Sequence, residues 1–300
     1  MRPHVELIDE VDLLWHVAEL PHAEGEARQR NLCYDEENGA ASLKVEFLTD
    51  WRRAGGLHSA QTEWFVLEGE IEIGDTKLGK GGYWCATRGA WTPETKAAKG
   101  TQILLFREYS DWGFTPTGRD GAGVDPNAEL VICDSEAMEW YDVVDPKNGS
   151  PMNFERGGTP VPGLFIKLLY RDPTNGFYTR LIKAKPGWRE HPLAHHPVYE
   201  EAYCLDGEFD YNFGTMTKGQ YFFRPAGVRH GDFTAGEKDG CTWILRCDGD
   251  LVDWYTENAS IELKGDPVNW GEGFPLSEPP ELIQPVRSRS IGEWKNPYYQ

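Results

Sequence analysis

The sequence contains no pair of cysteines at CxxC spacing. Its six cysteines, Cys33, Cys85, Cys133, Cys204, Cys241 and Cys247, are scattered through 300 residues. Neither a disulfide framework nor a cysteine zinc knot is indicated, and all six are read as reduced, buried thiols. No stretch approaches the roughly 20 uncharged apolar residues of a membrane span. The start, MRPHVELIDE, lacks the basic and apolar regions of a secretory signal. The expectation is a soluble, cytoplasmic chain. Positive charge is scarce: 30 Lys and Arg stand against 49 Asp and Glu, a net charge of −19. Such a surface repels a phosphate backbone and an anionic bilayer alike, so neither nucleic acid nor membrane is expected as a partner. Apolar residues at helical spacing are also rare; the best helix candidate, Asp9 to Leu20, is short.

What the chain does have is 12 Trp, 13 Tyr and 13 Phe, enough to fill real cores, and 33 Gly with 20 Pro. The Gly and Pro punctuate short runs rich in Val, Ile, Phe, Tyr and Trp, among them Leu43 to Leu48, Trp64 to Ile73, Thr179 to Lys183 and Tyr203 to Phe213. Strands and tight turns require that punctuation, so an all-β fold is expected. Three hundred residues exceed a comfortable single core, and a polar, Gly- and Pro-rich stretch from Ser110 to Asn127 suggests a boundary near 130–150. An internal repeat supports two modules. At an offset of 138, His58 falls on His196, Glu63 on Glu201, Gly69 on Gly207, Gly81 on Gly219, Tyr83 on Tyr221 and Gly89 on Gly227. The reading is two β-barrels over 1–150 and 151–300, with the last fifty residues wrapping a barrel or a partner.

The second copy concentrates metal-ligand chemistry. His195 or His196 precedes Glu200 by a few residues, and His230 closes a later strand pair after a Pro-x-Gly turn. Imidazole and carboxylate on neighbouring strands can present a facial set to a divalent metal and leave positions open. Here the sequence resembles the cupin superfamily, whose motifs are G(X)5HXH(X)3–4E(X)6G and G(X)5PXG(X)2H. Gly219, Pro225, Gly227 and His230 match the second motif; Gly187, Glu200 and Gly207 match the first, with one histidine displaced. Spacing from Gly187 favours His195, and the repeat favours His196. The first histidine of HXH falls on Leu193 or Ala194, so either His191 completes a three-histidine, one-glutamate set or the site is a two-histidine, one-carboxylate triad. In the first copy Thr62, Thr87 and Thr92 stand where Glu200, Pro225 and His230 stand in the second, leaving His58 alone.

The resemblance implies two tandem cupin (double-stranded β-helix, jelly-roll) barrels, a homodimer, and one divalent metal per chain in the second barrel. Fe(II) is favoured, with Mn, Ni or Zn as alternatives. The candidate ligands are His191, His195, His196, Glu200 and His230. The run EEAYCLDGEF with RPAGVRHGDF is similar to the branch holding anti-sigma-factor cupins and dioxygenases of diketones and acetophenones. This implies a dioxygenase that cleaves a C–C bond in a small oxygenated or aromatic carbonyl compound. Tyr203 or Arg224 would position the substrate, and in the alternative reactions below water or Glu200 would handle protons. A lyase, isomerase or hydrolase on the same scaffold is the alternative, and a non-catalytic metal-dependent sensor is a second.

Overall fold

A computed structural model describes residues 2–108, 113–143, 162–249, 251 and 254–255, with the backbone alone at 191, 192, 254 and 255. The expected role of the last fifty residues lies almost entirely outside these. The described chain is built from antiparallel strands joined by turns and two short 3-10 turns, Glu10–Asp12 and Ser135–Ala137. The helix candidate from Asp9 to Leu20 forms no α-helix: Val5–Asp9 is a strand that ends in the first of those turns. Among the described residues no helix is long and apolar enough to cross a membrane.

The chain divides into two compact units, and the division differs from 1–150 and 151–300. One unit holds Met1–Arg2 and Leu13–Met138; the other holds Pro3–Asp12 together with the chain from Glu139 onward. In the first unit a seven-stranded sheet runs in the order 130–134, 82–86, 62–68, 102–107, 41–47, 27–34, 16–17, beside a five-stranded sheet. Leu43, Val45, Phe47 and Trp64 of the larger sheet form one apolar cluster with Trp51, Ile71, Ile73 and Ala97 of the smaller, which places the core between them. In the second unit the sheet order is 141–142, 164–171, 178–184, 241–247, 200–211, 230–235, 189–195, 254–255.

The repeat is visible in strand register. Thr62 pairs with Ala86 and Phe65 with Tyr83 in the first unit; Glu200 pairs with Arg224 and Tyr203 with Tyr221 in the second, each at the offset of 138. Even a buried side-chain pair recurs. Tyr83 donates to Glu63 at 2.7 Å, and Tyr221 donates to Glu201 at 2.5 Å. One repeated glycine shows why the turns persist: Gly207 has φ +72°, and a Cβ there would meet the carbonyl oxygen of Gly240.

A strand such as Gly82–Ala86 or Gln220–Arg224 needs a partner on each side, or its backbone groups form an open edge. In the first unit Leu130–Asp134 supplies the outer partner. In the second it is Val5–Asp9, where Val5 faces Phe223 and Ile8 faces Tyr221, with one extra residue between them. Leu7, at φ +54°, absorbs that bulge. Glu6 beside it is 1% exposed. Its carboxylate accepts from Arg224 Nε at 2.7 Å and NH2 at 3.2 Å, and from the Tyr211 hydroxyl at 2.7 Å; His4 Nε2 stands 2.9 Å away. Burial alone would raise the Glu6 carboxyl, but Arg224 and His4 outweigh it and hold it at about 2.

Removing one partner of a buried pair leaves the other charge uncompensated. Glu6→Ala is therefore expected to destabilise the second unit by about 3 kcal/mol, read as a fall in its thermal transition while that of the first unit stays put. The same pair predicts an acid limb. Because the folded-state value of Glu6 is depressed, its stabilisation is present above its ordinary value of 4.5 and is lost as pH falls toward 2. The Glu6→Ala chain should show a shallower loss across that range in calorimetry, and an unchanged slope would refute the assignment.

Candidate metal centre

Glu200 opens the strand Glu200–Tyr211, between the strands Cys241–Cys247 and Gln220–Arg224. Side chains alternate across a strand, so Glu200, Ala202 and Cys204 share one face while Glu201 and Tyr203 take the other. His230 starts the next strand, after the Pro225–Val228 turn, and its Nδ1 lies 3.0 Å from the Val228 carbonyl oxygen. That contact takes a proton on Nδ1 and leaves the Nε2 lone pair facing inward.

His196 reaches the same point because of a bulge. Along the pairing of Arg189–His195 with His230–Ala235, Glu190 faces Phe233, yet Leu193 faces Gly231 and Ala194 faces His230. One extra residue is taken up around His191 and Pro192, the kind of place where a strand tolerates proline. Spacing counted from Gly187 leads to His195; the bulge takes up one residue, and His196 arrives instead. His196, Glu200 and His230 are all buried, and one ligand atom from each lies within 4.8 Å of the others. His196 Nε2 stands 3.0 Å from His230 Nε2, which is 3.0 Å from Glu200 Oε2. Two donors at right angles on an ion, each at roughly 2.1 Å, would be separated by about 3.0 Å. The donor set, two imidazoles and a carboxylate, fits a divalent metal.

Charge is arranged to keep those donors in ligating form. Burial opposes ionisation of Glu200, but the His230 ring, the Arg224 guanidinium and His196 hold its carboxyl well below the usual range. Burial and Arg224 push His230 below the ordinary imidazole value, which Glu200 only partly offsets. The ring is uncharged at neutral pH, and Arg224 is the fixed positive charge beside Glu200, donating from NH1 to Oε2 at 2.9 Å.

The remaining sequence candidates fall elsewhere. His195 is buried, 1% exposed, but its ring does not join the three converging ligands. The side chain of His191 lies outside the described residues. Tyr203 is on the opposite strand face and donates to Glu10 at 2.6 Å, so the expectation that it positions substrate is corrected. Arg224 is corrected too: its donors go to Glu6 and Glu200, and it positions the glutamate rather than a substrate. Two groups were missed. Glu6 is too far away in sequence for any local spacing to connect it. Arg180 lies on the same cavity wall as the three ligands; the alternation in YTRLIKA places it on one face with Tyr178 and Ile182, a pattern the sequence does show.

At the equivalent place in the first unit an arginine faces the histidine. Arg53 NH2 lies 3.3 Å from His58 Nε2. Burial drives the Arg53 guanidinium down to about 9, and burial with Arg53 and Arg107 drives His58 well below its ordinary value. The Thr62 and Thr92 hydroxyls donate to the backbone oxygens of Ala60 and Gly56.

No curated protein matches this sequence. Solved structures do share the fold. A candidate dioxygenase from Nostoc punctiforme is similar at a TM-score of 0.65 and 19% identity, over 84% of each chain. The Ylba protein of E. coli, of family DUF861, is similar at 0.54 and 17%, over 82% of this chain and 91% of its own. A protein from Pseudomonas aeruginosa named as glyoxylate-induced is similar at 0.53 and 15%, over 77% and 83%. These neighbours have the cupin fold, and so has this chain. Residues 6–254 match the profile of the family described as a domain of unknown function, DUF4437, and the chain belongs to that family.

Proposed function

We propose that this chain is a metal-dependent enzyme acting on a small oxygenated carbonyl compound, and more specifically a non-haem Fe(II) dioxygenase that cleaves a C–C bond. The observation that carries the reading is the convergence of His196, Glu200 and His230 on one buried point of an otherwise mainly apolar cavity. Two histidines and one carboxylate leave coordination positions open, the arrangement associated with oxygenases. A bound divalent ion would supply Lewis acidity there, and iron would add reactivity toward O2. The chain's own residues do the rest. Arg224 keeps Glu200 ionised, Val228 orients His230, and the walls formed by Leu164, Ile182, Phe233 and Leu245 exclude water. The likeness to a candidate dioxygenase supports the reading at the level of the fold. With it we propose that the two units are tandem cupin barrels, of which only the second keeps a metal.

Purified without added metal, the native chain is expected to hold about one divalent ion, lost in His230→Ala and Glu200→Gln and kept in His58→Ala, by elemental analysis. Retention of metal by His230→Ala would place the ion elsewhere. In the Fe(II)-loaded form, oxygen uptake is expected with a diketone, a phenolic ketone or a 2-oxo acid. Absence of uptake and of product with all three would sink the dioxygenase assignment and leave the lyase, isomerase or hydrolase reading.

A further inference from the structure

The cavity that holds the three ligands also contains Arg180. Strand register places it. Tyr178, Cys247 and Glu200 form one row across three strands, and Arg180, Leu245 and Ala202 form the next inward-facing row. Arg180 thus shares the face of Glu200, two strands away, about 10 Å across the sheet. It is 2% exposed, and its Nε and NH2 atoms have no hydrogen-bond partner among the described residues. The other buried arginines of this sheet face carboxylates: Arg224 meets Glu6 and Glu200, and Arg246 meets Glu201. Arg180 rests instead over the Tyr178 ring, at 4.5 Å from its centroid. A buried guanidinium without an anion is costly, so a site that retains one is built for an anion that comes and goes.

The anion's class follows from the surroundings. The cavity volume is about 60 Å³. At roughly 10–15 Å³ for each water position, it admits only a few non-hydrogen atoms. The guanidinium fork matches a carboxylate in two parallel hydrogen bonds. Beyond it the walls are mainly apolar, and Glu190, the other acidic group on the wall besides Glu200, has a partner of its own. We propose that Arg180 binds the carboxylate of the substrate, and that the substrate is a small monocarboxylic acid whose second oxygen faces His196, Glu200 and His230. The proposal rests on the metal-enzyme reading above and narrows its substrate class.

The test uses the full chain, metal-loaded and metal-free, with Trp188 and Trp243 on the cavity wall as fluorescent reporters. Acetate, glyoxylate and pyruvate are titrated beside their methyl esters. The acids are expected to bind at least about tenfold more tightly than the esters. Arg180→Met should weaken the acids by about tenfold to a hundredfold, the loss of a charge-assisted pair, and leave the esters unchanged. Arg180→Lys should fall between. Metal content should be unchanged in both variants. Equal binding of acid and ester by the native chain, no binding of any acid at millimolar concentration, or an acid preference that survives Arg180→Met would each overturn the proposal. Should Arg180→Met fail to fold, the native acid-to-ester ratio and Arg180→Lys still decide. A chain that takes up no metal yet prefers the acids would refute the metal reading while leaving Arg180 as the anion site.

Discussion

Arg224 is the buried charge on which the site depends. Its guanidinium, 1% exposed, lies between Glu6 on one side and Glu200 on the other, and Glu200 in turn faces His230. Each member needs the next. A carboxylate this deep would take up a proton without a fixed positive charge beside it, and a protonated Glu200 is a poor ligand. The two carboxylates in turn offset the cost of burying the Arg224 guanidinium. The ion pairs therefore set a charge state as much as they add stability, and that charge state is the one two neutral imidazoles and a metal require.

The two units show what one scaffold can do with opposite electrostatics. Register, turn glycines and the buried Tyr–Glu pair are common to both. At the ligand positions they part. The second unit gathers a carboxylate and two imidazoles; the first places a guanidinium against its single histidine and ties two threonine hydroxyls to backbone carbonyls. Replacing ligands with threonine removes affinity for a metal, whereas placing Arg53 beside His58 repels one. The proposed absence of a metal from the first unit thus has two separate grounds in its side chains.

Much of this was legible in the sequence. The Gly and Pro punctuation indicated strands and turns, and the 138-residue offset aligned residues that the two units place at equivalent points of their strand register. Glu200 and His230 stand at motif positions. The choice between His195 and His196 was not legible from spacing, because a bulge at His191 and Pro192 changes the count by one without changing residue type. Strand parity puts Tyr203 on the face of Glu201, away from Glu200. The same parity would have singled out Arg180 beside Tyr178 and Ile182. The one feature with no local trace is the partnership of Glu6 with Arg224: a lone acidic residue in VELID looks like any other solvent-facing glutamate until the strand it covers is known.

That strand has a consequence for how the molecule is made. Val5–Asp9 leaves the ribosome before Leu13–Met138 of the first unit, but its partner Gln220–Arg224 follows only about 210 residues later. At roughly 5–20 residues per second the segment waits some 10–40 seconds, while the intervening first unit is already able to fold. The second unit is thus interrupted by the first rather than appended to it. A cut between the units, wherever placed, separates the second from the strand that seals its edge and from the carboxylate that balances its central arginine, so the two halves of the repeat are not two separable proteins.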